Sequence, residues 1–197
     1  RAQDGSANSV SVTSATAISL TNTGGVTIGG ATTVTISAGA SSVTISGVTL
    51  SNSCTGVTLT ATATSGDILT AGTSSAFNVL AAVPTTASAV TIGIKTPTTI
   101  PLSWTNGNGA ARIVVARLNS TTAVAPTAGT AYTANSASFT DGTNSTTGTN
   151  NVVIYNGTGN TVTVTGLTAA TAYNFDVYEY NGTTSTYNYA AAASAGS

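Results

Sequence analysis

The sequence predicts an all-β protein made of two consecutive β-sandwich domains. Short stretches throughout the chain alternate β-branched residues with Thr or Ser, the period-2 pattern of a half-buried strand, and clusters of Gly, Asn and Ser separate them. Composition agrees. The chain is 41% hydrophobic and 5% charged with a net charge of −1, whereas disorder combines low hydrophobicity with high net charge. At 197 residues it has room for one large or two small domains.

The elements follow in order. "VTIGG" from Val26, "VTISAG" from Val34, "VTISGVTL" from Val43 and "VTLTATAT" from Val57 each read as a strand. Val-Thr-Ile/Leu recurs at Val26, Val34, Val43, Val48 and Val57, with spacings of 8, 9, 5 and 9. A β-solenoid needs one fixed repeat length, so the irregular spacing favours the hairpins of a sandwich. Upstream, "SVSVTSATAISL", Ser9 to Leu20, alternates small polar and β-branched residues. It serves either as the first strand of its own sheet or as a strand added to a neighbouring copy, since sheet edges without charge lack the usual protection against pairing. Pro84 ends "AFNVLAA", and a Thr/Ser/Ala spacer leads to "VTIGIK". The expected domains are therefore 1–85 and 86–197.

In the second half, "TIPLSWTNGNG" puts Ile100, Leu102 and Trp104 on one strand face and "ARIVVARL" supplies the next strand. "GLTAATAYNFDVYEYNG" places Leu167 six residues before Tyr173. This arrangement resembles a fibronectin type III domain, with Trp104 on its second strand and Leu167 and Tyr173 bracketing the turn into its sixth. The resemblance covers about Ala87 to Ser197. It implies that Trp104, Leu167 and Tyr173 are core residues and that the Tyr173 hydroxyl bonds to backbone upstream. "NGTTSTYNYAAAA" departs from the usual final hairpin. The whole chain resembles the tandem Ig-like plus fibronectin type III modules of secreted surface and adhesin proteins of Bacteroidetes-type bacteria.

On the strand from Ala172 to Tyr180, Tyr173, Phe175 and Val177 share one face, and Asn174, Asp176, Tyr178 and Tyr180 share the other. The first set is core. Tyr178 and Tyr180, unless cross-strand neighbours within the sheet absorb them, form an amphipathic contact face of the kind favoured at interfaces. All seven tyrosines lie between Tyr132 and Tyr189, so such a face belongs to the second domain.

An inventory of reactive groups argues against catalysis. There is no His, which removes His-based triads, His-ligated zinc and the commonest general base. Five carboxylates exist, Asp4, Asp67, Asp141, Asp176 and Glu179. The one close pair, Asp176 and Glu179, is three apart on a strand, so the two side chains face opposite ways and cannot flank a glycosidic bond together. No catalytic, cofactor or metal residue is assigned. Asp141 in "DGTNST" supplies a single carboxylate and reads as a turn rather than a calcium loop. Lys95, the only lysine, reads as solvated. Cys54 is the only cysteine and is expected to be a small buried side chain. Sequons at Asn119, Asn144, Asn156 and Asn181 fall in expected loops, but so Asn- and Thr-rich a chain produces such triplets by chance, and on sequence alone they do not imply attachment of a glycan.

Four Lys and Arg together cannot neutralise a run of phosphates, so nucleic acid is excluded as a partner. No apolar run reaches the roughly 18–20 residues of a membrane span. The chain opens on "RAQDGSANS" without a signal peptide, and a mature piece or fragment of a longer precursor is expected. The leading expectation is a non-catalytic structural module of an extracellular bacterial filament or surface adhesin, whose partners are neighbouring copies or repeats. The alternative is a spacer or carbohydrate-binding module of a secreted polysaccharide-degrading enzyme, with Trp104, Tyr178 or Tyr180 as stacking platforms for glycans.

Overall fold

The computed structural model describes all residues from Arg1 to Ser197. Every element is a strand, and every strand ladder is antiparallel. The chain divides into two compact units, Arg1–Val79 and Leu80–Ser197. The division comes earlier than the 85/86 boundary read from Pro84, and hydrogen bonds explain why. Asn181 and Asn188 donate side-chain N–H groups to the carbonyls of Ala82 and Ala81, and Asn108 Oδ1 accepts from the amides of Thr85 and Thr86. The linker backbone is thus tied to the second unit.

The first unit contains β1 (Thr16–Asn22), β2 (Thr27–Gly29), β3 (Thr33–Ile36), β4 (Thr49–Ser51), β5 (Cys54–Val57), β6 (Leu59–Ser65), β7 (Gly72–Thr73) and β8 (Phe77–Val79). Its main sheet runs β3-β1-β6-β7, with β2-β4 and β5-β8 as separate ladders. β1 is paired on both sides, Ile18 opposite Val34 on one and Ala63 on the other. Ala2, Val12 and Ile36 are buried together, with Ile18, Ala40 and Leu69 packed on them. Ser9 to Leu20 therefore lies within its own unit, and β1 has no free edge to offer a neighbour. The expected strand from Val43 reaches regular pairing only at Thr49–Ser51. Val43 and Ile45 instead line a recess of about 560 Å³ with Ile18, Val34, Ile36 and Leu69. Cys54 is half-buried rather than buried, its Sγ accepting from the Gly25 amide at 3.4 Å.

The second unit contains β9 (Ala89–Ile92), β10 (Ile100–Thr105), β11 (Ala111–Leu118), β12 (Thr146–Gly148), β13 (Asn151–Gly157), β14 (Thr161–Val164), β15 (Tyr173–Asn181), β16 (Asn188–Tyr189) and β17 (Ala193–Gly196). One sheet runs β14-β10-β9; the larger runs β12-β13-β11-β15-β16, with β17 also on β15. Ile100, Leu102, Trp104 and Val164 of the small sheet form one core with Val114, Ala116, Ile154, Tyr173, Phe175 and Val177 of the large one. Two antiparallel sheets thus enclose a shared apolar layer. Fully burying aliphatic and aromatic side chains of this size contributes roughly 1.5–3 kcal/mol each. The final hairpin, irregular in sequence, still delivers two short strands to β15.

Candidate functional site

In the large sheet of the second unit, β11 and β15 carry Arg112, Arg117, Asp176 and Glu179 together with Tyr173, Phe175, Tyr178 and Tyr180. Their register sets Ile113 opposite Tyr178 and Val115 opposite Asp176 on one face. On the other, Arg112 lies opposite Glu179 and Val114 opposite Val177. That second face packs on the small sheet, and the three residues named from sequence lie there. Trp104 is 4% exposed, Leu167 7% and Tyr173 3%. The Tyr173 hydroxyl accepts the Thr168 amide at 3.0 Å, and its ring meets Phe139 edge-on with centroids 5.2 Å apart. Trp104 packs edge-on against Tyr155 at 5.2 Å. The indole N–H of Trp104 is buried and finds no partner in the chain.

The proposed contact face of Tyr178 and Tyr180 requires correction. Tyr178 is only 4% exposed and belongs to a second core with Ile113, Val115, Tyr132 and Val153. The irregular segment 119–145 supplies the cover. Its Tyr132 is held in place by accepting the Thr127 amide at 2.9 Å, and Tyr189 donates to the Thr130 carbonyl at 2.8 Å. Tyr180 is half-buried, donates to Asn156 Oδ1 at 2.7 Å, and sits 5.4 Å from the rings of both Tyr187 and Tyr189. Burial first, and the nearby Asp176 second, push the Tyr178 hydroxyl up to about 12. The aromatic residues on the outer side of β15 are occupied by the protein's own chain. Neither Trp104 nor Tyr178 presents a face on which a sugar could stack.

The charged groups of these two strands form ion pairs that the sequence reading did not anticipate. Arg112 and Glu179 are 3% and 0% exposed and meet at 3.1 Å. Glu179 accepts from Arg112 through both oxygens, from the amides of Gly107 at 2.9 Å and Gly109 at 3.1 Å, and from the Ser88 hydroxyl. Arg112 in turn donates to the carbonyls of Thr158 and Gly159. Burial alone raises the Glu179 carboxyl, but Arg112, Ser88 and Gly107 outweigh it and hold the group below the usual range. A Cβ on Gly109 would stand 2.7 Å from Glu179 Oε2, so the backbone can wrap this carboxylate only as glycine. Across the sheet, Arg117 donates to Asp176 at 2.9 Å, and Ser194 bonds the other oxygen of Asp176. One signal was available in the sequence. Charged residues inside two strongly apolar strands must be paired if those strands are covered on both faces.

The remaining carboxylates are engaged locally. Asp67 accepts from the Thr13 amide at 2.7 Å, the Ser14 amide at 3.0 Å and the hydroxyls of both residues. These bonds, the Thr13 amide foremost, bring it down to about 2. Asp4 accepts from Asn8 and Ser6. Asp141 is taken by Ser136 and Thr143, the geometry of a turn. Lys95 lines a recess of about 330 Å³ with Thr96, Pro97, Ile100, Leu167 and Tyr173, and no Asp or Glu side chain lines that recess. All five acidic side chains are thus bound by donors of their own unit. Compared with models of known protein families and with curated protein sequences, the chain matches none.

Proposed function

We propose that this chain is a non-catalytic structural module of an extracellular bacterial filament or surface adhesin, associating with neighbouring copies or repeats through its sandwich surfaces. The observation that carries the reading is the engagement of every carboxylate in the chain by hydrogen bonds that hold the fold. With no His in the chain, the commonest general base is also absent. Two all-β units in tandem fit a load-bearing spacer. In the second unit the sheet memberships, β9, β10 and β14 against β11, β13, β15 and β17, follow the immunoglobulin-type sandwich order. The corner bond of Tyr173 also supports a fibronectin type III-like identity. A surface low in charge gives little repulsion between copies.

The carbohydrate-binding alternative is weakened by the burial of Trp104 and Tyr178. The test is fractionation of the native source. The proposal expects the chain in the extracellular or cell-surface fraction, removable from intact cells by external protease. Recovery from the cytosolic fraction, or in a stable complex with a glycan-degrading catalytic chain, contradicts it.

A further inference from the structure

We propose that Asn119 is a glycan-attachment site, the one sequon of the four that the folded chain presents for modification. The sequons begin at Asn119, Asn144, Asn156 and Asn181. Attachment of a glycan requires an amide nitrogen free of internal bonds and a segment able to enter a transferase cleft, which in folded proteins means a surface loop.

Three of the four fail. Asn144 is 7% exposed, and its Nδ2 donates to the carbonyls of Ser136 at 3.0 Å and Ser138 at 3.1 Å. Its Oδ1 accepts the amides of Asn135 and Ser136, so drawing this amide out to a transferase would break four bonds. Asn156 lies within β13, opposite Ile113 of β11, and its amide is clamped at both ends, Nδ2 on the Tyr132 carbonyl at 2.6 Å and Oδ1 on the Tyr180 hydroxyl. Asn181 closes β15 opposite Asn188; its Nδ2 donates to Ala82 at 2.9 Å and its Oδ1 accepts the Ala110 amide.

Asn119 differs in each respect. It is exposed and lies outside any strand, in the turn closed by the Thr121 amide on the Leu118 carbonyl at 2.9 Å. Its one side-chain bond is accepted, not donated: Oδ1 takes Asn174 Nδ2 at 2.8 Å. That contact fixes the amide plane and leaves Nδ2 to solvent. The sugar donor is a glycan carried as a lipid-linked diphosphate. The bond from C1 of the sugar to phosphate oxygen breaks, C1 bonds to Asn119 Nδ2, Nδ2 loses one proton to a base of the transferase, and the lipid diphosphate leaves. No oxidation or reduction is involved.

The site rests on the extracellular reading, because such donors serve exported proteins. Two measurements separate the claims. In the first, the folded, unmodified chain and a set of free peptides spanning each sequon are given a transferase that requires only Asn-X-Ser/Thr, with its lipid-linked donor, and mapped by mass spectrometry. Label is expected on every peptide but only on Asn119 of the folded chain, and N119Q should lower folded-chain labelling at least tenfold while N156Q leaves it unchanged. Folded-chain label on Asn144, Asn156 or Asn181 equal to that on Asn119, or none on Asn119, overturns the proposal. The second is peptide mapping of native material. A glycopeptide at Asn119 supports the site, bare Asn119 in extracellular material overturns it, and a cytosolic chain overturns the extracellular reading on which it rests.

Discussion

Glu179 has no exposed surface and five hydrogen bonds from four residues. Removing its charge strands Arg112, which is equally buried. Loss of one partner from a buried ion pair costs about 3–5 kcal/mol, whereas an apolar replacement of both is near neutral. Glu179→Gln should therefore lower unfolding stability of the second unit by that amount in chemical denaturation, and Glu179→Leu combined with Arg112→Met should recover only part of it, because the amides of Gly107 and Gly109 and the carbonyls of Thr158 and Gly159 are left without partners. A second pair of tyrosine variants reads the two faces of β15. Tyr173→Phe leaves the Thr168 amide without its acceptor and should cost about 1–3 kcal/mol. Tyr178 donates to no group in this network, and Tyr178→Phe should cost under about 0.5 kcal/mol. Truncating Tyr178 to Ala, by contrast, opens a cavity beneath Tyr132 and should cost about 3–5 kcal/mol. The Leu167 and Tyr173 positions were legible because a corner imposes a fixed spacing. The burial of Tyr178 was not, because its cover comes from a segment without strand periodicity.

Among elements, β1 and the 119–145 segment show where sequence pattern is informative and where it is silent. Alternation marked Ser9 to Leu20, of which only the part from Thr16 is strand, in β1; β1 lies between β3 and β6, with Ile18 packed on the core of the unit. Removing Arg1 to Leu20 deletes that strand together with Ala2 and Val12 of the core. The truncated chain should lose amide protection across β3 and β6 in hydrogen exchange while the second unit keeps its own. Retained protection in β6 would show that β1 is dispensable. The stretch from Val43 has the same alternation as β1 but lies against a recess instead of a ladder, a tertiary choice that propensity does not encode.

The Asp67 clip joins the end of β6 to the corner before β1, and Gly66 permits it. A Cβ there would collide with the Ala15 carbonyl and Thr16, and φ is +86. Because the folded carboxyl titrates near 2, below the ordinary range of about 4, the clip contributes fully above pH 4. It is lost as pH falls through about 2. Asp67→Ala should speed exchange of the first unit at pH 5 and differ progressively less from the parent towards pH 2. A difference that stays constant across this range would contradict the clip.

At the scale of the whole molecule, two antiparallel units, internally paired charge and a net charge of −1 describe a protein whose polar chemistry holds the fold. All-β class was readable from alternation, whereas Pro84 falls inside the second unit rather than between the two. The two-sided burial of the large sheet was not readable, since it depends on where segment 119–145 comes to rest. The central claim is that such chains are built into an extracellular structure. Electron microscopy of material released from the native source tests it most directly. The account predicts filaments or stalks whose axial repeat contains one copy of this chain. Released chain that is monodisperse and absent from every fibre would contradict it.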